Sequence, residues 1–213
     1  MRILGVYGAS GCGRGIMPFV SSALGPGESS IFIDDGEVPS TVNGYQCLNW
    51  TEFLQMEASE RRVCLAIADG AIREKLDQKC RDANVGFFTA RSHQSVIMHD
   101  VEIGEGAALS PFVTITSNIR IGRHFHANLY SYVEHDCIIG DFVTFAPGVK
   151  CNGNIRIEDH VYIGAGAVLR QGKSGDPLVI GKGAVVGMGA VVTKSIPPGV
   201  TVVGNPARPL EKN

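Results

Sequence analysis

A repeat of six residues runs through the second half of the chain and constrains its fold more than any other feature. Stepping by six from Ile97 to Leu169 meets an apolar residue at every position. These positions are Ile97, Ile103, Leu109, Ile115, Ile121, Ala127, Val133, Ile139, Phe145, Cys151, Ile157, Ile163 and Leu169. A second stripe begins four residues later, at Val101, and is apolar at every step to Ala167 except Ser131. A short fixed period of this kind is typical of a parallel β-helix, in which stacked coils bury a narrow interior.

The repeat also predicts the number of coils in the β-helix and the position of an insertion. Three hexads make one coil, and successive coils stack about 4.8 Å apart. The register breaks in the segment GKSGDPLV at 172–179 and resumes at Ile180, Val186 and Val192. Five extra residues are therefore inserted before Ile180, as a bulge or loop. About five coils are expected before the Pro-Pro-Gly segment at 197–199.

The N-terminal part has a different pattern. An apolar run at 2–7 precedes the Gly-rich segment at 8–15, a helix is expected at 13–24, and a strand at Ser30–Ile33 leads to two aspartates. Strand, Gly-rich turn, helix, strand and acidic pair make half of a nucleotide-binding α/β unit. Because the glycines do not follow the strict dinucleotide spacing, a purely structural tight turn remains the alternative.

Two further strands complete this unit. Arg62–Ala68 reads as a buried strand, Asp69 is placed to cap a helix over 71–83, and Val85–Thr89 reads as a fourth strand. The predicted domains are thus a Rossmann-like α/β domain at 1–90 and a β-helix at 91–213. A ligand should bind at the carboxyl ends of the parallel strands. The residues expected there are Ser10, Gly11, Cys12, Asp34, Asp35 and Asp69.

Composition excludes several classes of function. A net charge of −2 and a pI near 6.3 give no electrostatic case for a nucleic-acid partner. The chain has no apolar run of about 18 residues and begins without a signal peptide's apolar segment, so a cytoplasmic protein is expected. Its six cysteines show no paired spacing, which favours reduced thiols over disulfides or zinc.

Three of the six histidines are expected to lie on an outward face without a catalytic role. None are spaced as a zinc-dependent β-helix enzyme would need, so no metal is expected. His124 and His126 flank the inward-facing Phe125 and should therefore point outward, onto a solvated or interface face. His160, between Asp159 and Val161, should do the same.

His135 differs from the others because it lies between Glu134 and Asp136. A neighbouring carboxylate orients an imidazole and stabilises its protonated form, as a general base requires. One coil later, Gly153 should lie directly above it, where its backbone N–H could meet a reacting carbonyl oxygen. His135 and Gly153 are therefore candidate catalytic residues. A histidine packed between subunits is the alternative.

Four segments together resemble a known family. They are GASGCGR at 8–14, IFIDDG at 31–36, EHDCIIGDFVTFAPGVKCNGNI at 134–155 and VVGNPAR at 202–208. The chain resembles the nucleotide-sugar acetyltransferases, which include the UDP-4-amino-sugar N-acetyltransferases of bacterial bacillosamine and related glycan pathways and, as relatives, the sialic acid O-acetyltransferases. The resemblance implies a left-handed parallel β-helix and a homotrimer whose active sites lie between subunits.

The resemblance also implies roles for individual residues. His135 is the base, Asp136 matches an acid that is usually Glu, and Gly153 supplies the oxyanion amide. The residues matched to the acetyl-CoA groove are Thr144, Ala165 and Met188. The residues matched to the sugar nucleotide are Ser10, Gly11, Cys12, Asp34, Asp35 and Ala68, the last at a position where the family often has Gly.

The expected function is N-acetylation, from acetyl-CoA, of the amino group of a UDP- or dTDP-linked 4-amino-4,6-dideoxy sugar. Two alternatives stay open from the sequence. One is O-acetylation of a sugar hydroxyl, which the same residues would serve. The other is a β-helix that binds a sugar nucleotide without catalysis, and acetyl-CoA binding would discriminate it from both enzymes.

Overall fold

A six-stranded sheet with three helices forms the N-terminal part of the computed structural model, which describes residues 1–210. The strands are β1 (Arg2–Tyr7), β2 (Glu28–Ile33), β3 (Thr41–Val42), β4 (Tyr45–Leu48), β5 (Glu60–Leu65) and β6 (Gly86–Phe87). The helices are α1 (Gly11–Ser21), α2 (Trp50–Gln55) and α3 (Gly70–Asp82). The strand order is β3-β4-β2-β1-β5-β6, and β1 pairs in parallel with both β2 and β5. The carboxyl ends of these three strands therefore meet at one edge.

Two elements end three residues earlier than the sequence predicts, and the predicted strand Val85–Thr89 is limited to Gly86–Phe87. Helix α1 ends three residues early, at Ser21, where the hydroxyls of Ser21 and Ser22 bond backbone carbonyls one turn back. Strand β5 ends at Leu65 instead of Ala68, because the carbonyls of Ile67 and Ala68 accept hydrogen bonds from Arg73. The hairpin β3–β4 and helix α2 were not predicted, since these segments are short and carry no clear period.

A three-sided parallel β-helix follows from Ala90. Face 1 consists of β7 (Ala90–Arg91), β10 (Ala108–Leu109), β13 (His126–Ala127), β16 (Thr144–Phe145), β19 (Tyr162–Ile163), β22 (Val185–Val186) and β24 (Thr201–Val203), with β25 (Arg208–Pro209) antiparallel at its end. Face 2 consists of β8 (Val96–Ile97), β11 (Thr114–Ile115), β14 (Tyr132–Val133), β17 (Lys150–Cys151), β20 (Val168–Leu169) and β23 (Val191–Val192). Face 3 consists of β9 (Val101–Ile103), β12 (Ile119–Ile121), β15 (Ile138–Ile139), β18 (Ile155–Ile157) and β21 (Leu178–Ile180).

The register of the strands confirms the repeat. Leu109 pairs with Ala127 and Val133 pairs with Cys151, so each residue pairs with the one three hexads later. Across the insertion, Ile155 pairs with Leu178 and not with residue 173, which confirms the five extra residues. Both apolar stripes line one core and are buried from Leu109 to Leu169. Five coils contribute a strand to every face. The last three residues of the second predicted domain, 211–213, lie outside the described residues.

The α/β unit packs on face 1 through helix α3. Arg73 is fully buried there, and its guanidinium donates to the carbonyls of Ala68 on its own side and of Phe142 and Val143 on the β-helix. Burial lowers the pKa of Arg73 to about 10. Because Arg73 bonds backbone from both parts, it ties the α/β unit to face 1.

The same contact explains where the outward-facing histidines lie. His124 and His126 do point away from the β-helix core, but the α/β unit covers them, so they lie in an interface and not in solvent. His124 Nε2 is 2.8 Å from a carboxylate oxygen of Asp77 in α3. His160 stacks on Phe142, which in turn stacks on His124.

Candidate active site

Turns from face 2 to face 3 form the edge that carries His135, called here the 2/3 edge. His99, Ser117, His135 and Gly153 occupy the same position of this edge on successive coils. His135 follows strand β14 and its side chain is 42% exposed. The stacking therefore puts one exposed imidazole directly below a glycine.

His135 and Asp136 form a hydrogen-bonded pair, and the ionisation of Asp136 determines which ring nitrogen of His135 carries the proton. His135 Nδ1 lies 2.7 Å from Asp136 Oδ2. The hydrogen bond from His135, and after it the one from Asn118, lowers the pKa of Asp136. An ionised carboxylate only accepts hydrogen bonds, so Nδ1 must donate and Nε2 carries the lone pair of the neutral ring. Nε2 is then the free basic atom of this pair.

Gly153 lies against that basic atom. A Cβ added to Gly153 would stand 2.6 Å from His135 Nε2 and 2.5 Å from Cε1. The imidazole thus occupies the space that any side chain at 153 would take. Among the hydrogen bonds found within residues 1–210, none is donated by the Gly153 N–H. A backbone donor and a ring nitrogen therefore lie side by side.

The residues matched to acetyl-CoA do not lie together. Ala165 and Met188 are exposed neighbours on successive coils at the edge between faces 1 and 2, where Gly189 N–H donates to the Ala165 carbonyl. Thr144 is only 2% exposed on face 1, and its hydroxyl donates to the Ala68 carbonyl. It borders a cleft of 560 Å³ between face 1 and the start of α3.

The residues matched to the sugar nucleotide gather at one edge of the α/β sheet. Ser10 and Gly11 are exposed at the start of α1, and the Ser10 side chain makes no cap hydrogen bond. Cys12 is half-buried, and burial raises the pKa of its thiol. A helix start with exposed backbone N–H groups suits an anion such as a diphosphate.

The two aspartates and Ala68 complete that edge. Asp34 accepts from the N–H groups of Ala9 and Gly36, so it joins the loops after β1 and β2. Asp35 accepts from Tyr7, Lys79 and the Trp50 N–H, which leaves it part of an internal network although its side chain is 45% exposed. Ala68 is exposed three residues after the third parallel strand, β5, and Asp69 caps α3.

The residues matched to the sugar nucleotide and the His135–Asp136 pair lie on different sides of one chain. The α/β unit covers face 1, whereas His135 lies on the 2/3 edge, which is opposite face 1 in a three-sided prism. The strand-end loops and His135 of the same chain therefore do not converge on one cavity.

Comparison with known proteins decides the family. No family model matches the chain. The GDP-perosamine N-acetyltransferase of Escherichia coli O157:H7 is 46% identical to it over 217 aligned residues, covering 100% of this chain and 98% of that protein. The chain belongs to the nucleotide-sugar N-acetyltransferases of the hexapeptide-repeat family.

Solved structures agree with this family. WeeI from Acinetobacter baumannii AYE is 56% identical, with a TM-score of 0.95, and the match covers 99% of this chain and 100% of that one. PerB from Caulobacter crescentus, solved in complex with CoA and GDP-perosamine, is 25% identical, with a TM-score of 0.87 and coverage of 98% and 97%. The protein is accordingly an acyltransferase, as the sequence predicted.

Two features are absent from residues 1–210, the described part of this N-acetyltransferase: a metal-binding group of side chains and a membrane-spanning helix. Across residues 1–210, His, Cys, Asp and Glu side chains form no group of three or more arranged to hold a metal ion. Within the same range, no helix is long and apolar enough to cross a membrane.

One polar contact at this site was not predicted from the sequence. Asn118 Nδ2 donates to Asp136 Oδ1 at 3.2 Å from the coil below. The coil period would have found it, because stepping back three hexads from Asp136 reaches Asn118.

Proposed function

We propose that this enzyme transfers the acetyl group of acetyl-CoA to the amino group of a nucleotide-linked 4-amino-4,6-dideoxy sugar, with His135 as general base. The observation that carries the proposal is the geometry of His135. Its Nδ1 is engaged by Asp136 at 2.7 Å, and its free Nε2 lies 2.6 Å from the position that a Cβ on Gly153 would take, one coil above. Within residues 1–210, the Gly153 N–H donates no hydrogen bond. The relative named as a GDP-perosamine N-acetyltransferase supports an amino sugar as the acceptor.

The reaction proceeds by direct attack. The neutral amine forms a bond to the thioester carbonyl carbon, and the carbonyl electron pair moves to oxygen, where the Gly153 N–H stabilises the oxyanion. His135 Nε2 takes the proton that the amine releases, and Asp136 stabilises the resulting imidazolium. Collapse of the intermediate breaks the carbon–sulfur bond and releases CoA thiolate. Cys137 and Cys151, the cysteines nearest His135 in sequence, are buried in the core, which favours this direct route over an acyl-enzyme.

Binding of acetyl-CoA is assigned to the groove residues that the family implies. Exposure of Ala165 and Met188 at one edge supports their part in this groove. Thr144 could reach a bound molecule only through the cleft that it borders beside Ala68.

Binding of the sugar nucleotide is assigned to the α/β unit as a Rossmann-like domain. The exposed start of α1 at Ser10 and Gly11 would take the diphosphate, with Cys12, Asp34, Asp35 and Ala68 around it. UDP or dTDP is the expectation from the sequence, whereas the relative and PerB are named with GDP-perosamine, so all three nucleotides belong in the test.

The active site is proposed to form between subunits of a homotrimer with left-handed β-helices. The separation of His135 from the chain's own strand-end loops supports this arrangement, since a second copy would bring another α/β unit to the 2/3 edge. The proposal extends to a cytoplasmic enzyme of glycan biosynthesis. The six cysteines of the chain are all free thiols, and this supports a reducing compartment such as the cytoplasm.

The experiment measures CoA thiol release from acetyl-CoA with 4-amino-4,6-dideoxy sugars linked to GDP, UDP and dTDP, beside the matching 4-hydroxy sugars. Release with an amino sugar and none with the hydroxy sugars is expected. His135→Ala should lower kcat by about 10²- to 10⁴-fold, the usual effect of losing a general base.

The matched control is His99→Ala, because His99 holds the same register position two coils away and is exposed. Its activity should equal that of the unaltered enzyme. Release with hydroxy sugars alone would indicate an O-acetyltransferase, and failure to bind acetyl-CoA would leave only a binding protein.

A further inference from the structure

A ladder of short polar residues runs along the 2/3 edge next to the catalytic pair. Asp100, Asn118, Asp136 and Asn154 follow one another on successive coils, with φ of 51°, 59°, 58° and 57°. Asn and Asp are the residues with a side chain that tolerate this left-handed conformation best. The backbone therefore favours Asn or Asp at each of these four positions, but it does not explain why position 118 holds the amide.

The contacts of Asp136 explain the choice of amide. Its Oδ2 accepts from His135 Nδ1 at 2.7 Å, and its Oδ1 accepts from Asn118 Nδ2 at 3.2 Å. An aspartate at 118 would instead bring two carboxylates together at that distance, and a glycine would leave Oδ1 without this donor. Asn118 thus holds the carboxylate from the side opposite the imidazole.

The surroundings of Asp136 offer little else to orient it. On its own coil stand His135, Glu134 and Cys137; the coil below contributes Ser117 and Asn118, and the coil above contributes Gly153 and Asn154. Arg120, the cation closest in sequence to Asn118, pairs with Asp100 and Glu102. Asp136 is 47% exposed, so without a fixed partner its carboxylate would turn freely in solvent.

We propose that Asn118 is a positioning residue for N-acetyl transfer: its amide fixes the Asp136 carboxylate so that His135 donates from Nδ1 and presents Nε2 toward Gly153. The inference rests on the proposed role of His135. Asn118 does not touch the reacting atoms, and acts only through Asp136.

Two substitutions at 118 test this role while keeping the backbone. Asn118→Gly keeps the left-handed turn, because glycine adopts it freely, and removes the donor. It should lower kcat about 5- to 10-fold and leave the KM for acetyl-CoA unchanged. Asn118→Asp keeps the shape and adds a negative charge that favours the imidazolium, so the acid limb of the kcat/KM profile should move to higher pH. Titration of the substrate amine is common to all variants and cancels in this comparison.

A double-mutant cycle separates positioning from general stability. In an Asp136→Ala background, Asn118→Gly should cause no further loss of kcat, because its partner is gone. Asp100→Asn is the matched control: it makes an isosteric change on the same ladder, two coils before Asp136, and should leave kcat and the pH profile unchanged. Thermal unfolding of each variant confirms that it is folded.

Either of two results would overturn the inference. One is an unchanged kcat and pH profile in both variants, and the other is an equal loss from Asn118→Gly with and without Asp136. A different result would contradict the proposed function itself. That result is a near-normal kcat of the His135→Ala variant.

Discussion

Gly153 shows how a single residue constrains the geometry of the proposed catalytic pair, His135 and Asp136. The imidazole of His135 fills the place of a side chain at 153, with ring atoms 2.5–2.9 Å from an added Cβ. Positions 117, 135 and 153 are stacked by the coil period, so this contact follows directly from the sequence. Glycine is required here by the approach of a ring and not by a left-handed φ.

Gly153→Ala is expected to lower kcat by about 100-fold, because the methyl group must displace the imidazole by a fraction of an ångström or more from the reacting atoms. Steady-state kinetics with saturating acetyl-CoA measure the effect. Gly86→Ala is the control, since its added Cβ meets Arg62 Cγ at an ordinary 3.7 Å. Equal kcat in both variants would show that the ring and Gly153 do not cooperate in catalysis.

At the scale of elements, the contact between α3 and face 1 determines the protonation state of two histidines, His124 and His126. Burial lowers the pKa of His124 and lowers that of His126 well below its ordinary value. Burial by itself would raise the pKa of Asp77, but hydrogen bonds from Arg81 and His124 bring it below its ordinary value. Arg73, Arg81 and Arg123 face the same cluster, and both Arg73 and Arg123 disfavour a further positive charge on His124. The histidines are therefore buried as neutral rings.

Stability should consequently fall on acidification. Both folded pKa values lie below the unfolded value near 6.5, so the unfolded chain binds protons first. The stabilisation is complete above about pH 6.5 and is lost as the pH falls toward the folded values, by up to roughly 1.4 kcal/mol per pH unit for each histidine. Denaturant titrations between pH 7.5 and 5 measure this slope.

His126→Asn should make that slope shallower by about one proton, because asparagine does not titrate. His93→Asn is the matched control, as His93 is exposed, and its slope should equal that of the unaltered protein. Identical slopes for the two variants would contradict the assignment of this pH dependence to the buried ring.

At the scale of the whole molecule, the arrangement of α/β unit and 2/3 edge predicts shared active sites. Each site in a cyclic trimer would take His135 from one subunit and the nucleotide loop from the next. Gly11 has open space beside it, so Gly11→Glu is expected to keep the fold and to repel the diphosphate proposed to bind at this loop.

Mixing His135→Ala and Gly11→Glu subunits therefore tests the assembly. Every mixed trimer contains one interface that joins an intact His135 to an intact loop, so random equal mixing should restore about one quarter of normal activity. Subunits are unfolded and refolded together, and thiol release is compared with each variant refolded alone. Activity no greater than that of the separate variants would place the complete site within one chain.

The sequence by itself determined the β-helix and the catalytic candidates on it. Regular apolar stripes specify which residues face inward, and the constant length of a coil specifies which residues stack. For this reason the five-residue insertion was confirmed, and the placement of His135 beneath Gly153 followed without any knowledge of the α/β unit. Asn118 was within reach of the same rule.

Only the tertiary structure decided what covers the outward-facing residues. His124, His126 and Thr144 all point out of the β-helix, as the period requires, yet they are buried. A repeat distinguishes inside from outside within its own coil, but burial of the outer side depends on a helix from a distant part of the chain. The contacts that hold this helix there include the bonds from Arg73 to the carbonyls of Phe142 and Val143, just before β16 of face 1. Such long-range complementarity leaves no period in the sequence.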